Sequence, residues 1–307
     1  MMGPGIAAIL ALAGHPTRLY GRGEDSRARG LSATNRIVDF LADKGVVSAA
    51  AAAHAHQDLS GTTDLAVAVG DAEVVFESIP EDMQLKQAFF ERLEALTSAT
   101  TLLVSNTSGL RISEIAARLE RPERAVTTHF YMPPHLVPLV DVVKGERTSD
   151  ETVSRIKTLL TAAGKRPVVV LKDTPGQLGI RMLQAVNREA FHIVREGIAS
   201  AEDVDIAIKY GPGLRVPVYG PLEHADVVGL DLIESVASYV WPDLSTATAP
   251  DVLHALIAEG DLGVKSGRGF YDWSRKSADE VKAIRDAFLL QRLLEETRQV
   301  AESDTTD

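Results

Sequence analysis

The sequence predicts an α/β domain built on a doubly wound parallel sheet, followed by an all-helical domain. Over residues 18–172, short β-branched or apolar runs alternate with helical stretches, which is typical of a parallel sheet covered by helices on both faces. After the Pro175-Gly176 pair the sequence is helical and has no further strand pattern. The 307 residues are also enough for two domains. We therefore expect one domain over residues 1–172 and a helical domain over residues 173–307.

The individual elements follow from the spacing of apolar residues. Short β-branched and apolar runs predict strands at 18–20, 73–78, 101–105, Ala125–Phe130, Leu139–Val143 and 167–171. Apolar residues at helical spacing predict helices at 25–44, Met83–Leu96, 112–119 and 150–163, and after the break at 177–195, 201–209, 231–239, 252–259 and 277–302. The apolar segment from Pro4 to Gly14 is predicted to be a buried helix. The alanines at 49–53 are expected to be a helix end or a loop.

Composition excludes several classes of protein. The 32 Lys and Arg residues against 43 Asp and Glu give a net charge of -11, so no global attraction to nucleic acid or an anionic membrane is expected. The absence of cysteine excludes disulfides and cysteine-ligated metals, and we expect no metal site. No apolar stretch approaches the length of about 18 residues that a membrane span needs. We expect a cytoplasmic protein whose partner is a small-molecule substrate.

Polar residues that could take part in catalysis or ligand binding follow two of the predicted strands. Asn106 and Ser108 come directly after one strand and His129 closes the next, so all three are expected at the carboxyl ends of strands, where α/β sheets bind ligands. Asp141 lies inside an apolar strand, which is unusual because buried acids are rare unless they are paired. A carboxylate that supports the imidazole would make His129 a general base, with Ser108 donating a hydrogen bond to a substrate oxygen.

Other interpretations of these residues remain open. Ser108 is also compatible with a helix cap, His129 with a solvent-facing strand end, and Asp141 with an edge strand. A serine hydrolase is disfavoured, because the chain has no Gly-x-Ser-x-Gly elbow and its Ser, His, Asp order differs from that of the α/β-hydrolases. His54 and His56 are spaced like a pair of metal ligands but have no obvious carboxylate partner, so we expect a solvated loop there.

Motifs along the whole chain occur in an order that identifies a family. Gly3-Pro4-Gly5 opens an apolar helix that precedes a short strand, as in the second half of a dinucleotide-binding βαβ unit. The motifs are Met2-Gly3-Pro4-Gly5-Ile6-Ala7, Phe76-Glu77-Ser78-Ile79-Pro80-Glu81-Asp82, Ser105-Asn106-Thr107-Ser108, His129-Phe130, Lys172-Asp173-Thr174-Pro175-Gly176 and Gly263-Val264-Lys265-Ser266-Gly267-Arg268-Gly269-Phe270-Tyr271. In these the chain resembles the 3-hydroxyacyl-CoA dehydrogenases, including the lambda-crystallin-like branch.

The resemblance implies a Rossmann domain followed by a helical dimerisation domain, and therefore a homodimer. It implies an oxidoreductase of fatty acid metabolism that uses NAD to oxidise a 3-hydroxyacyl-CoA or a similar 3-hydroxy acid. It assigns His129 as the base, supported by Asp141, and Ser108 as the contact to the substrate oxygen. The cofactor-binding residues that we expect are Gly3, Gly5, Arg22, Glu81, Lys86 and Asn106.

The chain also departs from the family pattern. The family's first strand and the first two glycines of its Gly-x-Gly-x-x-Gly fingerprint are absent before Gly3, and we expect the neighbouring strands to lack a ladder partner. The acidic residue that usually binds the adenosine ribose is replaced by Gly21, with Arg22 beside it, so NADP use beside NAD is expected. Asp141 replaces a Glu, and Met132 and Ile180 replace two Asn residues. Two alternatives therefore stand: a dehydrogenase of a free hydroxy acid or aromatic alcohol, and a catalytically impaired binding or structural homologue.

Overall fold

The structure, a computed structural model, describes residues 2–304 of the chain, with side chains up to residue 298. These residues form two compact units. One contains the residues up to Ile180 together with those from Ile284 onward, and the other contains Arg181–Ala283. The first unit is α/β and contains all the described strands, whereas the second is helical. The predicted order of an α/β part followed by helices is confirmed.

The strands form two hydrogen-bonded sets. Their bounds are β1 (Thr17–Tyr20), β2 (Leu59–Thr62), β3 (Val74–Glu77), β4 (Leu102–Ser105), β5 (Ala125–Phe130), β6 (Leu139–Val143) and β7 (Arg166–Val170). Strands β1 and β2 pair with each other in parallel, and the other five lie in the order β3-β4-β5-β6-β7. Among the described residues, β1 pairs only with β2 and β3 only with β4. All six predicted strands are present, and β2 is an additional one.

The orientation of β6 corrects the expectation of a wholly parallel sheet. Strand β6 runs antiparallel to β5, while the other adjacent pairs are parallel. The physical reason is the connection between β5 and β6, which consists of residues 131–138 only. A parallel crossover needs a dozen or more residues, whereas antiparallel strands can be joined by a short turn.

Helices of the first unit cover both faces of the sheet, and the second unit consists of helices. Their bounds are α1 (Met2–Leu12), α2 (Glu24–Asp43), α3 (Ala49–Asp58), α4 (Leu65–Val69), α5 (Met83–Leu96), α6 (Ile112–Ile115), α7 (Asp150–Ala162), α8 (Leu178–Arg195), α9 (Ala201–Tyr210), α10 (Pro212–Arg215), α11 (Pro221–Val228), α12 (Leu230–Val240), α13 (Asp251–Ala258) and α14 (Ala278–Asp304). Strand β4 contributes side chains to two separate cores, one on each face of the sheet. Leu102 and Val104 pack in one core with α1 and α7, whereas Leu103 packs in a second core with α4, α5 and α6. Successive side chains of a strand point to opposite faces, so both faces of β4 are buried.

Helix α3 contains the alanines at 49–53 and also His54 and His56, so the solvated loop expected at these two histidines is wrong. Ala52 and Ala55 are buried against Ala8 of α1, and these small side chains allow the helices to approach closely. His56 contacts α2 instead. Its two ring nitrogens lie 2.8 Å from side-chain oxygens of Asn35 and Asp39 on α2.

Candidate active site

The antiparallel pairing of β5 and β6 places His129 directly opposite Asp141. Directly opposed residues of an antiparallel pair project to the same face of the sheet, so the two side chains meet. His129 Nδ1 lies 3.5 Å from Asp141 Oδ2, and the two residues are 5% and 0% exposed. The alternatives of a solvent-facing His129 and an edge-strand Asp141 are therefore wrong, since β6 lies between β5 and β7.

A third side chain, that of Tyr131, completes this cluster. Its hydroxyl donates a 2.7 Å hydrogen bond to Asp141 Oδ2, and its ring meets the His129 ring edge to face at a centroid distance of 4.6 Å. Burial raises the pKa of Tyr131 well above its usual value, and the hydrogen bond to Asp141 and the charge of Asp141 raise it further. Tyr131 is therefore a neutral donor. The sequence pattern did not reveal its role, because nothing in the spacing shows where a residue beyond the strand end points.

The loop after β4 is fastened to the end of β5. Asn106 Oδ1 accepts a 2.9 Å hydrogen bond from the backbone N–H of Phe130, the residue that follows His129. The backbone N–H of Asn106 donates to the carbonyl of Glu77 at the end of β3. Ser108 follows two residues later and is exposed. The carboxyl ends of three neighbouring strands therefore carry Glu77, Asn106 and His129, as expected of a ligand site in an α/β sheet.

Glu81 also binds the loop that follows β4. Its Oε1 accepts hydrogen bonds from Thr107 Oγ1 at 2.5 Å and from the backbone N–H groups of Ser108 at 3.0 Å and Gly109 at 3.2 Å. Burial alone would raise the pKa of Glu81, but the Thr107 hydrogen bond, the charge of Lys86 and the two backbone donors together lower it. Glu81 is therefore an anion that orders the loop carrying Ser108.

Lys86 is part of a buried network of polar side chains at the end of β3. Its Nζ is 2.7 Å from Glu77 Oε1 and 3.3 Å from the carbonyl of Ile79, and the residue is only 1% exposed. Ser105 Oγ donates to the other oxygen of Glu77 at 2.7 Å. Sequence reasoning gave Glu77 no role, although a charged residue at the end of an apolar strand was a visible signal. In this structure Lys86 contacts Glu77 directly, and it lies 3.6 Å from Glu81 Oε2.

The glycines near the N-terminus have different surroundings. A side chain at Gly5 would lie 2.5 Å from Pro134 Cγ, whereas Gly3 faces open space at the start of α1. The first N–H groups of a helix have no partners within the helix, and this end of the helix macrodipole favours anions. The N-terminus of α1 at Gly3 could therefore hold an anionic group such as a dinucleotide pyrophosphate.

Gly21 and Arg22 lie between β1 and α2. A side chain at Gly21 would lie 2.5 Å from the backbone nitrogen of Arg27, so this backbone leaves no room for a ribose-binding acid at that position. Arg22 is exposed, and no hydrogen bond or ion pair involves its side chain within the described part of the chain. Of the predicted site residues, the structure brings Asn106 next to the strand end that carries His129, while Gly3 lies at the start of α1 and Arg22 between β1 and α2.

Two general features of the described residues complete the description. No helix among them is long and apolar enough to cross a membrane. No group of three or more His, Asp or Glu side chains within residues 2–298 could hold a metal ion.

The α/β fold, the helix start at Gly3 and the buried His129–Asp141 pair define the class of an NAD-dependent oxidoreductase. Residues 1–174 match the family model of the 3-hydroxyacyl-CoA dehydrogenase NAD-binding domain, and residues 176–273 match that of the C-terminal domain. The chain belongs to the 3-hydroxyacyl-CoA dehydrogenase family, and its cofactor is NAD.

Relatives with different substrates match nearly the whole chain. The 5-formyl-3-hydroxy-2-methylpyridine 4-carboxylate 5-dehydrogenase of Mesorhizobium japonicum is 35% identical over 301 residues, which cover 96% of this chain and 95% of the relative. A probable 3-hydroxybutyryl-CoA dehydrogenase of Bacillus subtilis is 35% identical over 279 residues, 90% of this chain and 96% of the relative.

Solved structures show the same division of substrates. The crystal structure of 5-formyl-3-hydroxy-2-methylpyridine 4-carboxylic acid 5-dehydrogenase, described as an NAD⁺-dependent dismutase, superposes with a TM-score of 0.87 at 34% identity, covering 96% of this chain and 95% of the other. That of (S)-3-hydroxybutyryl-CoA dehydrogenase from Ralstonia eutropha superposes with a TM-score of 0.74 at 28% identity, covering 88% and 95%.

Proposed function

We propose that this protein oxidises a hydroxyl-bearing carbon of a small acid or its thioester, with His129 as the general base. The observation that carries the proposal is the buried pair of His129 and Asp141 at the carboxyl end of β5. Because Nδ1 faces Asp141, the tautomer protonated at Nδ1 leaves Nε2 as the acceptor for a proton. The cofactor, when bound, would supply the acceptor for the hydride that leaves the carbon.

Each residue of the proposed site has a separate role in the reaction. His129 takes the hydroxyl proton of the substrate as the carbonyl forms, and the Asp141 charge stabilises the imidazolium that results. The Ser108 hydroxyl donates a hydrogen bond to the substrate oxygen. Asn106 fixes this loop to β5 through the N–H of Phe130, and Glu81 holds the backbone of Ser108. The N-terminus of α1 at Gly3 and Gly5, together with Glu81 and Asn106, holds the cofactor, while Lys86 acts by ordering Glu81.

The substrate has two candidate classes. A 3-hydroxyacyl-CoA is the substrate class that the family as a whole favours, and the Bacillus subtilis relative is named for such a compound. A free hydroxy acid or aromatic alcohol is favoured by the higher TM-score of the pyridine carboxylate enzyme, 0.87 over 95% of its length. Met132, which follows Tyr131 in the chain and is 51% exposed, has an apolar side chain where the family pattern has Asn, which suits an aromatic ring.

A substrate panel tests both candidates. NADH formation is measured with 3-hydroxybutyryl-CoA, free 3-hydroxybutyrate, and hydroxymethyl-substituted benzoates and pyridine carboxylates. Turnover with a member of either class supports the proposed function, and the ratio of kcat/KM between classes identifies the substrate. Tight NADH binding without turnover of any member would contradict it and would support the impaired homologue instead.

We further propose that the protein accepts NADP beside NAD. Gly21 leaves no room for an acid at the ribose, and the exposed guanidinium of Arg22 can pair with a 2'-phosphate. Arg22→Ala is expected to weaken NADPH binding about tenfold, the loss of one charge-assisted contact, with NADH binding nearly unchanged. Fluorescence titration measures both, with Arg29→Ala on α2 as the control. A strict NAD preference of the unmodified protein would contradict this, and would mean that Glu24 or Asp25 supplies the missing acid.

The homodimer is also a proposal, supported by the surface of the helical unit. No residue of helices α8 to α13 is fully buried in the described chain. Val218, Leu222 and Val227 are each more than three quarters exposed. Monomeric proteins rarely leave so much apolar surface in water, and a second copy of this unit presents a matching apolar face.

Light scattering tests the oligomeric state. The protein is expected to show twice the chain mass of 33.0 kDa, and Leu222→Glu with Val227→Glu is expected to shift it towards one chain mass. The exposed charge reversal Glu223→Lys serves as a control on the same helix. A wild-type protein that remains a single chain at micromolar concentration would contradict the dimer.

A further inference from the structure

Tyr131 contacts both members of the proposed catalytic pair. Its hydroxyl bonds to Asp141 Oδ2 at 2.7 Å, while His129 Nδ1 stands 3.5 Å from the same oxygen. A distance of 3.5 Å is longer than a strong hydrogen bond between a nitrogen and a carboxylate. The tyrosine thus holds the shorter and stronger bond to the oxygen that the imidazole also faces.

The tyrosine hydroxyl also lies close to the start of helix α8. The backbone N–H groups of Ile180 and Gly179 act on its oxygen and oppose the rise of its pKa. A Cβ atom at Gly179 would approach the Tyr131 hydroxyl oxygen more closely than van der Waals contact allows. Glycine at 179 therefore makes room for this hydroxyl. A chain of contacts runs from the N-terminus of α8 through Tyr131 to Asp141 and ends at His129.

We propose that Tyr131 is a positioning residue for the general base: its hydroxyl holds Asp141 Oδ2 and limits how strongly this carboxylate binds the imidazole of His129. A carboxylate that accepts a hydrogen bond has part of its charge neutralised, so it stabilises a neighbouring imidazolium less. Loss of this donor is therefore expected to stabilise the imidazolium form of His129. The inference rests on the proposed role of His129 as the base.

The neighbours of this set that are known from strand pairing and from the backbone hydrogen bonds to Tyr131 carry no charge. Val168 of β7 faces Asp141 across the sheet, and Gly179 and Ile180 contact the tyrosine through their backbone. Only His129, Asp141 and Tyr131 therefore contribute titratable groups among the described contacts, and Tyr131 stays protonated because its pKa is raised. A change at the Tyr131 hydroxyl consequently acts on the balance between Asp141 and His129.

Tyr131→Phe tests the proposal because it keeps the ring and removes only the hydroxyl. Without that donor, Asp141 Oδ2 is free to bond to Nδ1 and the imidazolium becomes more stable. The acid limb of the kcat/KM profile is expected to move to higher pH by about 0.5 to 1 unit, with the KM for NAD unchanged. Tyr271→Phe is the matched control, since Tyr271 donates to Asp205 at 2.9 Å in the helical unit and should leave the limb in place.

A second readout does not depend on turnover. The protein has eight histidines, and His129→Gln identifies the ring signals of His129 in nitrogen NMR spectra. In Tyr131→Phe these signals should titrate at higher pH than in the unmodified protein, and Gly179→Ala, which displaces the hydroxyl from the other side, should shift them in the same direction. Lower thermal stability with an unmoved limb and an unmoved titration would overturn the proposal. If His129→Gln kept full turnover, the proposed base would fail, whereas the NMR shift would still report on the tyrosine.

Discussion

Replacing His129 by glutamine is expected to lower turnover by about 10²- to 10⁴-fold, the contribution typical of a general base. Glutamine has hydrogen-bonding groups but cannot accept the hydroxyl proton, so the chemical step is lost. Binding of NADH should be nearly unchanged, because the proposed cofactor contacts lie at the start of α1 and in the loops after β3 and β4. Steady-state turnover and fluorescence titration of NADH measure the two quantities separately.

Asp141→Asn tests the second member of the proposed catalytic pair. It keeps the shape of the side chain and the acceptor for Tyr131 but removes the charge that supports the imidazolium. Its loss of turnover should be smaller than that of His129→Gln and of the same kind. A His129→Gln variant with full turnover would remove His129 from the mechanism.

Glu77→Gln is expected to lower the free energy of unfolding by about 3 to 5 kcal/mol, the cost typical of breaking a buried ion pair. Glu77 and Lys86 are almost completely buried, with Nζ and Oε1 2.7 Å apart. The amide leaves the ammonium of Lys86 with the carbonyl of Ile79 and the half-exposed Glu81, 3.6 Å away. Chemical denaturation followed by circular dichroism measures the loss.

A matched control for Glu77→Gln exists on helix α5. Glu91 and Arg118 form an ion pair at 3.6 Å whose side chains are both exposed to solvent. Such pairs contribute little, so Glu91→Gln should change stability by less than about 0.5 kcal/mol. If Glu77→Gln cost no more than Glu91→Gln, the Glu77–Lys86 pair would not hold the loop that carries Glu81.

Much of the fold followed from the sequence because β-branched runs mark buried strands regardless of their neighbours. Helix α5 was predicted with its observed bounds, since apolar residues recur there at helical spacing and Asp82 caps its start. The predicted direction of β6 was wrong, because hydrophobic periodicity does not reveal the orientation of a strand. The short connection after Phe130 makes β6 antiparallel to β5. The weak alternation in β2 (Leu59–Thr62), with Gly61 inside it, concealed that strand.

The candidate site was predictable residue by residue but not as an arrangement. His129 and Asp141 stood out by type and position, yet their contact depends on the register of two antiparallel strands. Tyr131 lies beyond the strand end, and its link to Asp141 forms only when the chain turns back. Lys86 and Glu77 are nine residues apart and meet because a loop returns helix α5 to the end of β3. Tertiary contacts of this kind leave no periodic signal.

Transfer of deuterium from the substrate to NAD distinguishes a hydride-transferring dehydrogenase with His129 as base from the other possibilities. The substrate panel is prepared with deuterium on the hydroxyl-bearing carbon and incubated with the protein and NAD in ordinary water, and the recovered cofactor is analysed by mass spectrometry. Our account predicts reduced cofactor that carries one deuterium, and its loss in His129→Gln. Oxidised product with no deuterium in the cofactor, or deuterium transfer that is unchanged in His129→Gln, would contradict the account.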